Sequence, residues 1–405
     1  MKEDFLPIIL GTDINAYGVA RSFHQAYGIN SVTLGKMPLP FTQNSKIVDV
    51  KTFEGFDTQD VFLEKMLEVG KKYSEQGKKL ILISCSDGYT SLITNNKEAL
   101  EEYFLFNYVS LEMQQQLENK KDFYEICEKY GLDYPNTYVI SKDMRDNYEI
   151  PFEFPLAVKP NDSIEFLHLD FEGKKKAYKA NNKEEYEKII KDVYDAGYTG
   201  ELIVQDFIPG DHSTMAVLNA YVDTKGRVKM MCFGKCLLDE CQPQGIGNYN
   251  ALVTQDNPEI YKMAKKFLED INYRGFANFD FKYDRRDGKH KVFEINIRQG
   301  RSSFYMTTGG CNFVEFLVDD LIYGKDEPTY YHKREKLWLY ADPSVLKKYA
   351  NKDDAEYAKK LIKKGYEFTQ WYKEDRNLKR FLLYMRRRLG TIKYYPKLQP
   401  SRQED

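Results

Sequence analysis

The sequence predicts an α/β protein, in which an N-terminal parallel sheet is followed by two mixed α+β lobes. Short apolar runs alternate with helical patterns through residues 1 to about 115, as in a parallel sheet covered by helices. Farther along, two strand patterns alternate polar and apolar residues with period two and read as one hairpin within 275–301. With 405 residues, the chain can form two or three domains with substantial cores.

Pattern and charge divide the chain into four predicted parts. They are a βα domain at 1–115, a small lobe at 116–205, a large lobe with the hairpin at 206–330, and a basic extension at 331–405. From Tyr330 onward, lysines and arginines outnumber acidic residues by ten, whereas the rest of the chain has an acidic excess of twelve. We therefore expect a basic appendage on an acidic body.

In the N-terminal domain, two strand patterns end in loops that could hold a ligand. Pro7–Leu10 ends at Gly11-Thr12-Asp13, and Leu80–Ile83 ends at Ser84-Cys-Ser-Asp-Gly88. Ligands of parallel sheets bind beyond the carboxyl ends of the strands. Neither loop has the GxGxxG pattern, which disfavours a dinucleotide site. A tight turn that requires glycine explains both loops equally well.

Two lysine positions in the small lobe suggest phosphate binding. Lys120 stands in a charged segment, Glu118–Asp122, that opens a helix, where solvated charge is the simpler interpretation. Lys159 ends the apolar strand Leu156–Lys159, directly before a proline. Its compact charge suits a phosphate oxygen, although a strand-end lysine reaching solvent would leave the same pattern.

Two further segments are candidates for nucleotide contacts. Phe171-Glu-Gly-Lys-Lys-Lys176 places one glycine beside three lysines, and it is either a mobile flap over phosphates or a hairpin tip. Glu201–Asp211 is a strand pattern that runs into a turn. Such a segment can offer backbone groups to a base and a carboxylate to a ribose.

The register of the hairpin decides whether its acidic residues face each other. A two-residue turn at Asp287-Gly288 would place Asp280 across from Ile295, on opposite faces. A three-residue loop at Arg286–Gly288, with Gly288 left-handed, would place Asp280 across from Glu294. We predict the three-residue loop.

With that register, the polar face of the hairpin becomes a magnesium site. Three hard oxygen ligands share the face, with two arginines just beyond: Asp280, Glu294 and Asn296, then Arg298 and Arg301. Such a set can hold Mg²⁺ together with the phosphates of a nucleotide. The alternative is an ordinary amphipathic hairpin with a solvated polar face.

The remaining composition excludes several other classes of protein. The six cysteines form no CxxC pair, and the five histidines show no HExxH-type motif, so zinc hydrolysis has little support. No apolar run approaches a membrane span and no signal peptide is evident. We expect a cytoplasmic enzyme with reduced thiols, no transmembrane segment and no nucleic-acid partner.

The extension contains Arg380-Phe-Leu-Leu-Tyr-Met-Arg-Arg-Arg388, in which apolar residues stand beside four arginines. One interpretation is peripheral contact with anionic lipid or with the diphosphate of a precursor. The other, which we favour, is a helix packed on the acidic body by charge complementarity.

These motifs resemble the ATP-grasp superfamily in their order and spacing, and nearly the whole chain resembles the D-aspartate ligases of Gram-positive bacteria. The stretches that carry the likeness are Ile9–Asp13, Tyr17–Phe23, Phe123–Cys127, Phe171–Lys175, Val204–Asp211 and Phe293–Ser303. The resemblance implies an ATP-grasp fold with two lobes that clamp ATP. It also implies ligation of the β-carboxylate of D-aspartate to the lysine side-chain amine of a peptidoglycan precursor peptide, which is UDP-linked or lipid-linked.

The resemblance also implies a role for each candidate residue. Phosphates of ATP would be held by Lys120 and Lys159. The adenine and ribose would be bound by the segment that contains Gln205, Asp206, Phe207, Ile208 and Asp211. Two Mg²⁺ ions, or Mn²⁺, would be held by Asp280, Glu294 and Asn296. The transferring phosphoryl group and oxyanion would be neutralised by Arg298, Arg301 and Lys176 or Lys175. The segment Lys235–Tyr249, with Gln244-Gly-Ile-Gly-Asn248, would serve the acceptor or the acyl phosphate.

Two alternatives stay open at this point. Motifs around the metal serve ATP and do not read the amino-acid side chain, so another amino-acid donor fits them equally well. A nucleotide-binding scaffold that has lost catalysis is the second alternative, although the intact acidic and arginine residues of the hairpin argue against it.

Overall fold

The computed structural model describes residues 4–145, 147–162, 165–166, 168–242 and 245–399. The chain forms two compact units. Unit 1 comprises Met1–Leu111, Asp211–Phe279 and Asn296–Asp405, and unit 2 comprises Glu112–Gly210 and Asp280–Ile295.

The strands of the described residues are numbered in chain order. They are β1 (Phe5–Leu10), β2 (Ser31–Gly35), β3 (Val48–Thr52), β4 (Lys79–Ser84), β5 (Phe104–Leu105), β6 (Thr137–Ile140), β7 (Leu156–Pro160), β8 (Tyr178–Ala180), β9 (Leu202–Asp206), β10 (Met215–Val222), β11 (Val228–Asp239), β12 (Tyr249–Gln255), β13 (Gly275–Asp284), β14 (Lys289–Asn296), β15 (Tyr330–Tyr331), β16 (Leu337–Leu339) and β17 (Tyr366–Phe368).

The α-helices follow the same numbering. They are α1 (Ile14–Tyr27), α2 (Gln59–Ser74), α3 (Asp87–Asn95), α4 (Lys97–Leu100), α5 (Leu111–Glu118), α6 (Lys120–Tyr130), α7 (Lys183–Asp195), α8 (Pro258–Asp270), α9 (Phe304–Gly309), α10 (Phe313–Val318), α11 (Pro343–Tyr349), α12 (Lys352–Lys364) and α13 (Leu378–Leu398).

The N-terminal part of unit 1 is the predicted parallel sheet. Its five strands lie in the order β3-β2-β1-β4-β5, and every neighbouring pair is parallel. The loops after β1 and β4 lead directly into helices. Asp13 caps α1 by accepting from the Ala16 N–H at 3.0 Å, and Ser86 caps α3 by accepting from the Tyr89 N–H at 3.3 Å. Both loops therefore place polar side chains at the carboxyl edge of the sheet.

Unit 1 also contains a largely antiparallel sheet. Strands β10, β11 and β12 pair in sequence, β13 lies next to β10, and β16 and β17 follow β12. The short β15 pairs with β11 in parallel. Buried residues of this sheet, such as Met230 and Cys232, pack in one cluster with Tyr17 of α1 and Tyr305 of α9. The two sheets of unit 1 thus share a core.

Unit 2 is built on the antiparallel sheet β6-β9-β7-β8. Helix α7 packs Tyr186 and Ile190 into the same core as Leu156 and Val158 of β7. Because strand residues alternate between faces, Lys159 points away from that core, and only partly buried positions alternate with the core residues. This leaves the second face of the sheet for polar side chains.

The predicted hairpin is formed by β13 and β14, and Gly288 is left-handed as predicted, with φ of +74°. The three-residue loop is wrong, because β13 already ends at Asp284 and four residues, 285–288, connect the strands. The Gly288 N–H donates to the Asp284 carbonyl at 2.9 Å, and the Asp284 carboxylate accepts from the Arg286 N–H at 3.0 Å. These hydrogen bonds of Asp284 within the turn end β13 one residue earlier than predicted.

The extension after residue 330 packs within unit 1. In α13, Arg380 pairs with Asp375 at 3.0 Å and Arg388 pairs with Asp342, while Tyr384 and Tyr395 enter a buried cluster. The helix is packed as favoured, but the carboxylates that pair with its arginines, Asp342 and Asp375, belong to the extension and not to the acidic body.

The other face of α13 bears an exposed apolar row. Its members, with their exposed fractions, are Leu378 (73%), Phe381 (41%), Leu382 (59%), Leu389 (57%) and Ile392 (42%). The helix has seven basic residues and no acidic one. None of the helices in the described ranges is long and apolar enough to cross a bilayer.

Candidate active site

The first part of the site lies in unit 2, where two further lysines and one glutamate act on the charge of Lys159. Lys159 lies on β7, and Lys120 is the first residue of α6, after the Asn119 cap. Lys282 and Glu294 lie on the two strands of the hairpin. The charges of Lys120, Lys282 and Glu294 all act on Lys159. The structure therefore brings the two predicted phosphate lysines together with a predicted metal ligand.

Lys159 holds its ammonium group in a largely dry position. Its Nζ donates to Gln205 Oε1 at 3.1 Å and lies 4.6 Å from the centre of the Phe293 ring. No carboxylate of the described residues lies within ion-pair distance of it. Burial lowers the pKa of Lys159 to about 8, against the opposing effect of Glu294. A buried cation without a paired anion is expected where a ligand supplies the negative charge.

Lys120 lies in the same electrostatic environment. Its Nζ donates to the Asn161 carbonyl at 3.3 Å. Burial lowers the pKa of Lys120, and the charges of Glu294 and Asp162 oppose that effect. Glu294 itself is exposed and forms no ion pair with any described residue. Lys159, Lys120 and Glu294 thus share one electrostatic environment.

The buried Gln205 side chain lies next to Lys159 and is held by two hydrogen bonds. It is fully buried, its Nε2 donates to Thr137 Oγ1 at 2.9 Å, and its Oε1 accepts from Lys159. The antiparallel register of β7 and β9 pairs Ala157 with Gln205, which puts the Gln205 and Lys159 side chains on one face. Its predicted contact with adenine stays a prediction.

The segment after Gln205 has two further predicted nucleotide residues with defined partners. Both oxygens of Asp206 accept from Arg286, each at 2.8 Å. The Phe207 ring lies about 5 Å from two ammonium groups, those of Lys179 (5.1 Å) and Lys282 (5.2 Å). The Asp206 carboxylate therefore fixes the hairpin loop, and Phe207 belongs to the lysine-rich face. Ile208 is buried.

The lysine-rich segment at 171–176 has a turn at Gly173, with φ of +79°. Lys174 turns inward, donating to the Leu169 carbonyl and lying 5.6 Å from the Phe166 ring centre. Lys176 is exposed, as is Lys175. This geometry leaves Lys176 free of the unit 2 core and keeps its closure over a phosphate as a prediction. Ser163, Ile164 and Leu167, which precede this segment, lie outside the described residues.

The predicted metal ligands are distributed over both units, with Asp280 and Glu294 in unit 2 and Asn296 in unit 1. Asp280 is half-buried. Asn296 Nδ2 donates to Asn278 Oδ1 at 3.4 Å. No three His, Cys, Asp or Glu side chains within the described part of the chain form a metal-binding group. The predicted set has two carboxylates and one amide oxygen, so it is not a group of that kind. The assignment of these three residues to a metal ion stays a prediction.

The second part of the site lies in unit 1, at the carboxyl edge of the parallel sheet. Arg298 Nη2 donates to Asp87 Oδ2 at 2.8 Å, and its Nε lies 2.7 Å from the other oxygen. The next residue, Gln299, donates to the Ser84 carbonyl at 2.7 Å. Asp13 lies close enough for Arg298 and Arg301 to act on its charge. The segment that follows β14 is thus anchored on the loop after β4, and its arginines act on the charge of Asp13 in the loop after β1.

Asp13 and Asp87 were not predicted as site residues, although their loops were. Burial raises the pKa of Asp13, against the opposing effects of the Ala16 N–H and the two arginine charges. Strand-end position was the available signal. What the sequence lacks is the pairing of Asp87 with Arg298, which joins residues 211 positions apart.

The remaining predicted residues lie elsewhere in unit 1. Asp211 caps a short 3-10 turn, His212–Thr214, by accepting from the Ser213 N–H at 3.0 Å. Burial would raise the pKa of Asp211, but its hydrogen bonds to Ser213 and the charge of His212 outweigh it and lower the pKa. Gln244, in the predicted acceptor loop, lies outside the described residues.

Comparisons with known proteins agree on fold and family. Residues 117–302 match the model of the ATP-grasp domain. The chain is 46% identical over 394 residues to the D-aspartate ligase of Enterococcus faecium (strain Aus0004), covering 94% of each chain.

Solved structures with much lower identity share the fold. The L-amino acid ligase of Bacillus licheniformis aligns with a TM-score of 0.56 and 15% identity over 80% of this chain and 75% of that one. The N5-carboxyaminoimidazole synthetase of Staphylococcus aureus aligns with a TM-score of 0.59 and 14% identity over 83% of this chain and 82% of that one. A third match is the biotin carboxylase domain of Hydrogenobacter thermophilus 2-oxoglutarate carboxylase, solved in complex with MgADP. It aligns with a TM-score of 0.61 and 15% identity over 82% of this chain and 73% of that one. The predicted ATP-grasp fold is confirmed, and the chain belongs to the D-aspartate ligase family.

Proposed function

We propose that this protein is an ATP-dependent ligase. It joins the β-carboxylate of D-aspartate to the lysine side-chain amine of a peptidoglycan precursor peptide and releases ADP and phosphate. Membership in the D-aspartate ligase family supports this assignment of substrates. The observation that carries the ATP-dependent part is Lys159, a buried ammonium group with no anionic partner among the described residues and with Lys120 nearby.

The chemistry requires activation of the carboxylate, because oxide is too poor a leaving group for an amine to displace. Transfer of the γ-phosphoryl group of ATP gives an acyl phosphate, from which the amine displaces phosphate. Catalysis of this kind rests on positioning and on neutralisation of charge. Lys159 and Lys120 would hold the phosphates in unit 2, next to the Gln205 side chain.

The donor set on and beside the hairpin suits a hard cation. Glu294 is an exposed carboxylate without an ion pair to any described residue, and Asp280 is half-buried. With Asn296, they offer the oxygen ligands that magnesium prefers. Magnesium bound there would screen the phosphate oxygens and polarise the transferring group. Two ions, or manganese, are part of the proposal.

Arg298 and Arg301 supply the positive charge in unit 1. Asp87 fixes the Arg298 fork at 2.7 and 2.8 Å, so this arginine is oriented before any substrate arrives. A preoriented guanidinium can contact two oxygens of a carboxylate or phosphoryl group at once. We assign it the developing charge on the acyl phosphate.

The six cysteines offer no evident nucleophile for a covalent alternative. All six cysteines are buried, and burial raises the pKa of Cys85 and of Cys127. A thiol with a raised pKa is a poor nucleophile. The acyl group therefore passes from D-aspartate to the acceptor without bonding to the protein.

The acceptor in this proposal is the UDP-linked precursor or its lipid-linked form, and the enzyme acts in the cytoplasm. The second candidate is a ligase of the same type that uses another amino-acid donor. The unit 2 site supports both equally, because its lysines and carboxylates serve ATP.

A donor panel tests the proposal. Release of ADP is measured with the D- and L-forms of aspartate, asparagine, alanine and serine, each with and without the UDP-linked pentapeptide. The proposal expects release that depends on D-aspartate and rises when acceptor is added. Preference for another donor would select the second candidate, and no donor-dependent release would leave only a nucleotide-binding scaffold.

A further inference from the structure

Unit 1 contains a cavity of about 590 Å³ that the proposed chemistry has not used. Its charged and tyrosine lining residues are Arg301, Arg386, Arg387, Glu240, Tyr340 and Tyr394. Two of these arginines come from α13 in the basic extension, and the third follows the hairpin. The cavity therefore joins the extension to a residue already assigned to the reaction.

The three arginines of the cavity lack carboxylate partners among the described residues. Arg387 donates to the Tyr340 hydroxyl at 2.8 Å and its guanidinium lies 3.8 Å from the Phe41 ring centre. Arg301 lies 4.9 Å from the centre of the Tyr340 ring. Aromatic faces and a hydroxyl thus position these groups without neutralising them.

Two other arginines of the same helix provide an internal contrast. Arg380 pairs with Asp375 at 3.0 Å, and Arg388 pairs with Asp342. The helix therefore pairs the arginines that hold it in place. At the cavity, Arg387 is half-buried and Arg386 is exposed, and neither has a carboxylate partner among the described residues.

The cavity wall also has one oriented carboxylate. Glu240 is buried, its Oε1 accepts from the N–H groups of Cys241 (2.9 Å) and Gln242 (3.1 Å), and its Oε2 accepts from the Tyr394 hydroxyl at 3.2 Å. One carboxylate against three guanidinium groups leaves the cavity with an excess of positive charge. A ligand with more than one carboxylate complements such a wall.

We propose that this cavity binds the carboxylate-bearing peptide of the acceptor, with Arg386 and Arg387 contacting its carboxylates. The inference rests on the proposed function. A volume of about 590 Å³ lies in the range of roughly 300–1,000 Å³ typical of sites for ligands much larger than one amino acid. A peptide segment fills such a space, whereas aspartate alone does not. The extension thereby becomes part of acceptor recognition.

The test separates acceptor binding from donor binding. Steady-state KM values for ATP, D-aspartate and the UDP-linked pentapeptide are measured for Arg386→Gln, Arg387→Gln and the double variant. The acceptor KM should rise roughly ten- to a hundredfold, as expected for loss of a charge-assisted hydrogen bond. The KM for ATP and D-aspartate should stay within twofold. Lys364→Gln, an exposed position outside the cavity, is the matched control.

A modified acceptor makes the assignment to carboxylates specific. A peptide acceptor with its carboxylates amidated should bind the wild type weakly. Its KM should not change further when Arg386 or Arg387 is replaced. A rise in the D-aspartate KM with an unchanged acceptor KM would overturn the proposal, as would unchanged values for all three substrates. Failure of the proposed function is distinguishable, because the wild type itself would then release no ADP in response to D-aspartate.

Discussion

Replacing Lys159 by methionine should stabilise the ligand-free protein while abolishing its affinity for nucleotide. The side chain stays unbranched and apolar along its stem but loses the terminal ammonium group and its charge. Burial moves the pKa of Lys159 from 10.5 to about 8. At about 1.4 kcal/mol per pH unit, holding that charge at pH 7 costs the folded state about 3 kcal/mol. A methionine at this position removes the cost, and relaxation of the site leaves an expected gain of about 1–3 kcal/mol.

The lowered pKa of Lys159 also determines how the stability difference between the two proteins changes with pH. The folded-state pKa of Lys159 lies below its unfolded value, so the unfolded chain binds the proton more tightly. The cost is constant below pH 8 and is relieved as the pH rises from about 8 to 10.5. The stability difference between Lys159→Met and the wild type should therefore shrink over this interval. Because the protonated amine holds phosphate, wild-type affinity for ADP should fall as the pH rises above about 8.

Urea unfolding at pH 7.0 and at pH 9.5 measures the first effect, and titration calorimetry with ADP and Mg²⁺ measures the second. Lys188→Met is the control, since Lys188 is exposed and pairs with Asp192 on the surface of α7. Equal stability of Lys159→Met and wild type at pH 7.0, or unchanged ADP affinity, would refute the role given to Lys159.

Three further predictions concern the hairpin, the arginine fork and the extension. Asp280→Asn and Glu294→Gln should each abolish ligation without loss of fold, because each removes a negative ligand from the metal site; full turnover at saturating Mg²⁺, with an unchanged circular dichroism spectrum, would remove the hairpin assignment. Arg298→Lys should lower kcat roughly 10- to 100-fold, since a point charge cannot replace a fork that contacts two oxygens; an unchanged kcat would contradict the assignment. The exposed apolar row of α13, on a helix with seven basic residues and no acidic one, should bind vesicles that contain anionic lipid, and Leu382→Asp should weaken the binding. Co-sedimentation that does not depend on anionic lipid would contradict this prediction. Dimers detected by sedimentation velocity and broken by the same change would assign the apolar row to self-association instead.

Local sequence patterns predicted the elements, and long-range pairing determined the details that were missed. The alternation of apolar runs predicted the parallel sheet, and the strand pattern placed Lys159 near the end of β7, while its role stays a prediction. The loop length was wrong because the Asp284 carboxylate binds the Arg286 N–H, a turn interaction that a period of two does not reveal. The Asp87–Arg298 pair depends on the fold bringing two distant segments together.

The extension illustrates the same limit. Its four arginines between 380 and 388 look alike in the sequence, yet the structure pairs two with aspartates and turns two toward a cavity. Only the positions of Asp342 and Asp375 distinguish them. Composition therefore predicted the charge of the helix, and tertiary structure determined its use.

The most direct test of the proposed mechanism is to replace the acceptor amine by hydroxylamine. Incubation of the protein with ATP, Mg²⁺, D-aspartate and hydroxylamine should yield the β-hydroxamate of D-aspartate together with ADP and phosphate in equal amounts. That result requires an acyl phosphate on the side-chain carboxylate, formed without the acceptor peptide. Formation of AMP and pyrophosphate would mean adenylation and would contradict the mechanism, and hydroxamate on the α-carboxylate would contradict the assigned bond.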